Sequence, residues 1–130
     1  MPASEQDMEL PAAPASVGSA RRFVGGLLED FDATSVSDVA SLLTSELVTN
    51  AIVHAGGRVR IRVTCEEGIV RVSVEDSSNA RPYRRRATEA AVTGRGLTLV
   101  EELASSWGVD PLLDGRGKSV WFELCPDRRP

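Results

Sequence analysis

Glu46, Asn50 and His54 are spaced four residues apart in the stretch SELVTNAIVHA at 45–55. In a helix each residue turns about 100°, so these side chains lie one turn apart within a narrow sector. Val36, Val39, Leu43 and Leu47 fall on or beside that sector, while Asp38, Ser41, Ser45 and Thr49 lie mostly on the other side. A carboxylate, an amide and an imidazole thus sit inside the stripe that should face a core. Buried polar groups cost free energy unless they find partners. Such a helix either lines a polar pocket or borders the core with its polar groups bonded to neighbouring loops. In a pocket, Asn50 offers a neutral oxygen to a hard cation such as Mg²⁺. Glu46 can serve as a general base where bulk water is excluded.

Two more pieces carry chemistry. Asp76 ends an alternating apolar run and can accept a hydrogen bond from the exocyclic amine of a base, or cap the loop that follows. Gly94-Arg95-Gly96 precedes a helical pattern. Glycines at a helix start let the backbone approach a ligand, and the unpaired N–H groups there favour phosphate. They also serve plain turns.

The elements that must position these groups follow from periodicity. Residues 1–15 are rich in Pro, Ala and acidic residues and read as a mobile tail, ending at most in a short extended piece. Ser16 is a candidate cap for a first helix, in which Val17, Ala20, Val24, Leu27, Leu28 and Phe31 repeat with helical spacing. Ser35 or Ser37 caps a second helix, with Asp38 in its first turn, and Gly56-Gly57 stops it. The period then becomes two. Val59, Ile61, Val63 and Cys65, then Val70, Val72 and Val74, alternate with polar residues around the turn Glu66-Glu67-Gly68, which predicts an antiparallel hairpin. Residues 77–93 hold Pro82, Tyr83 and four arginines and break the pattern. So long a connection is usually functional or disordered. A third helix carries Leu97, Val100, Leu103 and Ala104. Trp107-Gly108-Val109 leads into a strand, Asp114 to Gly117 is a turn, and Val120, Phe122 and Leu124 mark a last strand. Residues 126–130 form a polar tail, which leaves one domain over 16–125.

The composition is that of a globular domain, with 42% hydrophobic and 26% charged residues. The net charge of −4 gives no support for nucleic-acid or membrane binding. Cys65 and Cys125 have no metal-like spacing, and so few cysteines suit a reducing compartment. The N-terminus carries Glu5, Asp7 and Glu9 where a signal peptide carries positive charge, and no segment is expected to reach the roughly 20 apolar residues of a membrane span. A cytoplasmic location is expected.

SELVTNAIVHA at 45–55, VSVED at 72–76, GRGLTLVEELASSWGV at 94–109 and GKSVWFEL at 117–124, in this order, resemble the GHKL superfamily of ATP-binding domains. The chain is most similar to the small bacterial proteins related to anti-sigma-factor serine kinases. The resemblance implies an α+β fold, a two-layer α/β sandwich with a mixed, mostly antiparallel sheet and three main helices on one face. It implies ATP and Mg²⁺ as cofactors. Asn50 would hold Mg²⁺ against the phosphates, and Glu46 would activate water or a protein hydroxyl. Asp76 would bind the adenine amine. Gly94, Arg95, Gly96 and Leu97 would close a lid, residues 77–93, onto the phosphates. His54 is given a structural role at the helix end.

Two departures from the superfamily pattern stand out. Asp76-Ser77-Ser78-Asn79-Ala80 replaces an Asp-x-Gly-x-Gly run, so side chains crowd the base. Gly117-Lys118-Ser119 stands where many relatives have Gly-Thr; Lys118 either reaches a phosphate or marks a solvated turn. The resemblance implies a protein serine/threonine kinase acting in partner switching, with a sigma factor or a phosphorylatable antagonist as partner. The alternative is a nucleotide-dependent binding module that moves no phosphate. The catalytic half of a histidine kinase ranks below both, since the chain lacks a helix pair with a phosphoacceptor histidine. Dimerisation is left open.

Overall fold

The computed structural model describes residues 4–55, 57–77, 97–113 and 115–126. Five strands form one sheet in the order β1-β2-β3-β5-β4, with β1 at Ser4–Leu10, β2 at Val59–Glu66, β3 at Ile69–Asp76, β4 at Ser106–Pro111 and β5 at Lys118–Leu124. Every strand pairing among the described residues is antiparallel. Among the described residues, helices α1 (Ala15–Asp30), α2 (Ser37–Ala55) and α3 (Leu97–Leu103) join the sheet in the α+β fold that the sequence predicts.

The sheet's inner face is written by alternation. Val59, Ile61 and Val63 of β2, Val70, Val72 and Val74 of β3, and Val120, Phe122 and Leu124 of β5 are buried, with polar neighbours between them. The buried face of α1 is Ala20, Val24 and Leu28, and that of α2 is Ala40, Leu43, Thr44, Leu47, Val48 and Ala51. Helix α2 packs on α1, α3 and the inner face of β2 and β3, which makes it the central helix. Residues 34–53 are nonetheless apolar and long enough, by length and composition, to span a bilayer. This corrects the expectation that no segment approaches that length. The reason is the helix's central place, since a helix that touches other elements on several sides carries apolar residues over much of its circumference.

The N-terminal segment departs from the expected tail. Residues 4–10 form β1, paired with β2 from Ser4↔Cys65 to Leu10↔Val59. The acidic residues that looked like a solvated tail instead complement arginines on β2 and just before it. Glu9 meets Arg58 at 3.2 Å, Asp7 meets Arg60 at 3.1 Å, and Glu5 lies 3.8 Å from Arg62. Leu10 is buried beneath them. Opposite charges across an antiparallel pair favour this register.

Local signals are also redistributed at α1. Ser16 does not cap it; its hydroxyl donates to the Pro11 carbonyl at 2.6 Å, and Pro14 takes the cap position. At the other end Asp32 adopts φ 57°, and Ala33 N–H bonds the Leu28 carbonyl, a left-handed stop without glycine. A 3₁₀ turn at Thr34–Val36 then leads into α2. Between β2 and β3, Glu67 and Gly68 both take positive φ, the two-residue hairpin turn whose twist matches the strands.

Candidate functional site

Sheet register brings two charged groups to one place. Asp76 is paired with Lys118 across β3 and β5, and Lys118 with Pro111 across β5 and β4. Asp76 continues the parity of Val70, Val72 and Val74, and Lys118 that of Val120, Phe122 and Leu124. Both side chains therefore point to the helix-bearing face at the last step of the apolar rows. They are 5% and 8% exposed, and Lys118 Nζ donates to Asp76 Oδ1 at 3.0 Å. A buried carboxylate needs compensation, and a buried ammonium supplies it here.

The backbone allows that approach. Gly117 has φ +148°, and a Cβ there would collide with the Asp76 carbonyl oxygen. The preceding turn is closed by Leu112 N–H to the Gly117 carbonyl at 3.0 Å and Gly115 N–H to the Leu112 carbonyl at 2.9 Å. At the same end of the sheet, the chain leaving α2 at Gly57 lies against Ser77. A cleft of about 230 Å³ opens there, lined by Val59, Asp76, Ser77, Leu112, Arg116 and neighbours.

Glu46 and Asn50 are half-buried on α2, at the margin of its buried face, and both have interaction partners. Their spacing puts an oxygen-bearing amide one turn beyond a carboxylate on the helix that crosses the sheet. Among the described residues no three His, Cys, Asp or Glu side chains cluster as a metal site. Asn50 offers an amide oxygen of the kind that Mg²⁺ accepts beside phosphates and waters. The residues present fit a nucleotide in chemical type: a buried carboxylate for an amine, an amide oxygen for a hard cation, and a second carboxylate for a proton.

Of the predicted site residues, Asp76 and Lys118 are brought into contact, and Glu46 and Asn50 share one helix face. Leu97 opens α3, while Gly94, Arg95, Gly96 and residues 78–93 of the expected lid lie outside the described residues, as does the side chain of His54. Lys118 is neither solvated nor at a bare turn. Its pairing with Asp76 is not evident from the sequence, although both residues extend the inward-facing series.

A family model of the histidine kinase-like ATPase domain matches residues 10–124. The chain belongs to this family. Among solved structures, this histidine kinase-like ATPase domain is similar to the RsbU and RsbW domains of Rv1364c from Mycobacterium tuberculosis. The match has a TM-score of 0.71 at 20% identity, which establishes a shared fold, and covers 97% of this chain. The chain spans 33% of that larger one. No match is found among curated protein sequences.

Proposed function

We propose that this domain binds ATP with Mg²⁺ and transfers phosphate to a serine or threonine of a partner protein, as an anti-sigma-type kinase in partner switching. The observation that carries the reading is the presence of Glu46 and Asn50 one turn apart on the central helix of a histidine kinase-like ATPase domain, with Asp76 buried at the end of β3. Asp76 accepts the amine of the base. Asn50 presents its oxygen to the cation that accompanies the phosphates. Glu46 takes the proton of the attacking hydroxyl. Bound ATP supplies the phosphoryl group, and the protein's own part is positioning and charge stabilisation. Gly94, Arg95, Gly96 and Leu97 close on the phosphates through backbone N–H groups. The partner is a sigma factor or a phosphorylatable antagonist, met in the cytoplasm.

A second reading has its own support. Ser77 to Ala80 replace glycines beside the base, and Asp76 already has Lys118 as a partner. Both features suit a module in which the nucleotide orders a protein-binding surface and no phosphate moves.

Calorimetric titration with ATP, with and without Mg²⁺, tests the shared core of the two readings. Saturable, Mg²⁺-dependent binding is expected, and its absence overturns both. Transfer of labelled γ-phosphate to a cognate antagonist then separates kinase from module.

A further inference from the structure

We propose that Lys118 is a base-reading residue, donating a hydrogen bond to a ring nitrogen of the purine next to the exocyclic amine that Asp76 accepts. The inference rests on the nucleotide reading above and deepens it.

Asp76 and Lys118 form a side-by-side acceptor and donor, with 3.0 Å between Oδ1 and Nζ. Both end the inward rows of adjacent strands at the same register step. A ring edge bonded to the Asp76 carboxylate would lie beside the ammonium, which is 3.0 Å from Oδ1. On adenine, the exocyclic amine is flanked on each side by a ring nitrogen with an in-plane lone pair. A donor beside an acceptor matches that edge, and both hydrogen bonds are charge-assisted. The ammonium's donors are arranged around one atom, so Nζ can serve Asp76 and a base nitrogen at once. A phosphate role for Lys118 fits less well, because its head group is buried against the base-binding carboxylate.

The placement is also enforced by the backbone. Gly117, with its positive φ and its contact on Asp76, brings the start of β5 hard against the end of β3. Lys118 is therefore held by the sheet rather than swinging on a loop.

The test is binding affinity, measured by calorimetry on the full chain with ATP, 1-deaza-ATP and 7-deaza-ATP. Each analogue replaces one flanking ring nitrogen with C–H. Wild-type protein is expected to bind one of the two analogues about ten- to a hundredfold more weakly than ATP, the loss of one hydrogen bond to a charged donor. Lys118→Met, which keeps the stem and removes the donor, is expected to bind ATP and that analogue equally. Equal wild-type affinity for all three nucleotides overturns the proposal without need of any variant. So does a discrimination that persists unchanged in Lys118→Met. Failure of wild-type protein to bind ATP at all overturns the nucleotide reading and this inference together, so the two failures are distinguishable. Circular dichroism confirms that Lys118→Met is folded; if it is not, Lys118→Gln replaces it, whose weaker neutral donor should shrink the discrimination.

Discussion

Gly117 lies so close to Asp76 that a methyl group on its Cα would run into the Asp76 carbonyl oxygen. The same glycine sits at φ +148°, a conformation that side chains rarely adopt. Backbone freedom at one residue thus determines how near the starts and ends of two central strands can come. That spacing is what lets Lys118 reach Asp76.

Gly117→Ala should therefore be costly in two ways, through the φ and through the collision. Each effect is of order 1–3 kcal/mol, so a loss of about 2–6 kcal/mol in unfolding free energy is expected. Urea denaturation measures it. A midpoint within experimental error of wild type would mean that β5 can shift away from β3 freely, and that the close approach is not required.

Much of the candidate site's placement was legible because helices and strands repeat with fixed periods. Glu46 and Asn50 show up as polar residues at apolar spacing, and they do lie at the margin of the buried face of α2. Asp76 is visible as the last inward residue of β3. The pairing with Lys118 requires knowing that β3 and β5 are neighbours, and strands far apart in sequence do not announce their register. The N-terminal strand was hidden for another reason. Glu5, Asp7 and Glu9 look like a solvated tail until Arg58, Arg60 and Arg62 stand opposite them. Composition alone cannot show a complementary partner about fifty residues away.

The buried pair makes an unequal set of mutants. Removing one charge takes this ion pair away from the other in a nearly dry place, and breaking a buried pair costs about 3–5 kcal/mol. Asp76→Leu and Lys118→Met are each expected to fall in that range. The double variant should lose clearly less than the sum, because neither charge remains. Unfolding free energies for all four proteins give the coupling. Strict additivity would show that each group draws its stability from other partners.

The division of labour proposed for α2 predicts two separable defects. Asn50→Ala should lose the Mg²⁺-dependent part of ATP affinity, read by titration with and without the cation. Glu46→Gln should keep ATP binding and lose phosphoryl transfer by about 10²–10⁴-fold, the usual contribution of a positioned base. Equal transfer rates in wild type and Glu46→Gln would remove Glu46 from that role and favour the binding-module reading.

The last prediction concerns the edge of the sheet. The ion pairs between β1 and β2 join side chains that are roughly 40–70% exposed, so each is screened by salt and contributes little. Neutralising all three acids, Glu5→Gln, Asp7→Asn and Glu9→Gln together, should cost about 1 kcal/mol or less in dilute buffer. Most of that difference should vanish in 1 M salt, where the screening length is about 3 Å. Deleting residues 1–10 is a different perturbation. It removes buried Leu10 and half-buried Met8 and strips the ladder partner from Val59, Ile61 and Val63. That loss is apolar and backbone in origin, so it should exceed the triple variant by about 2 kcal/mol or more and persist at high salt. Thermal melts of the three proteins at two salt concentrations decide the matter. A deletion no worse than the triple variant would mean that β1 is held by charge alone.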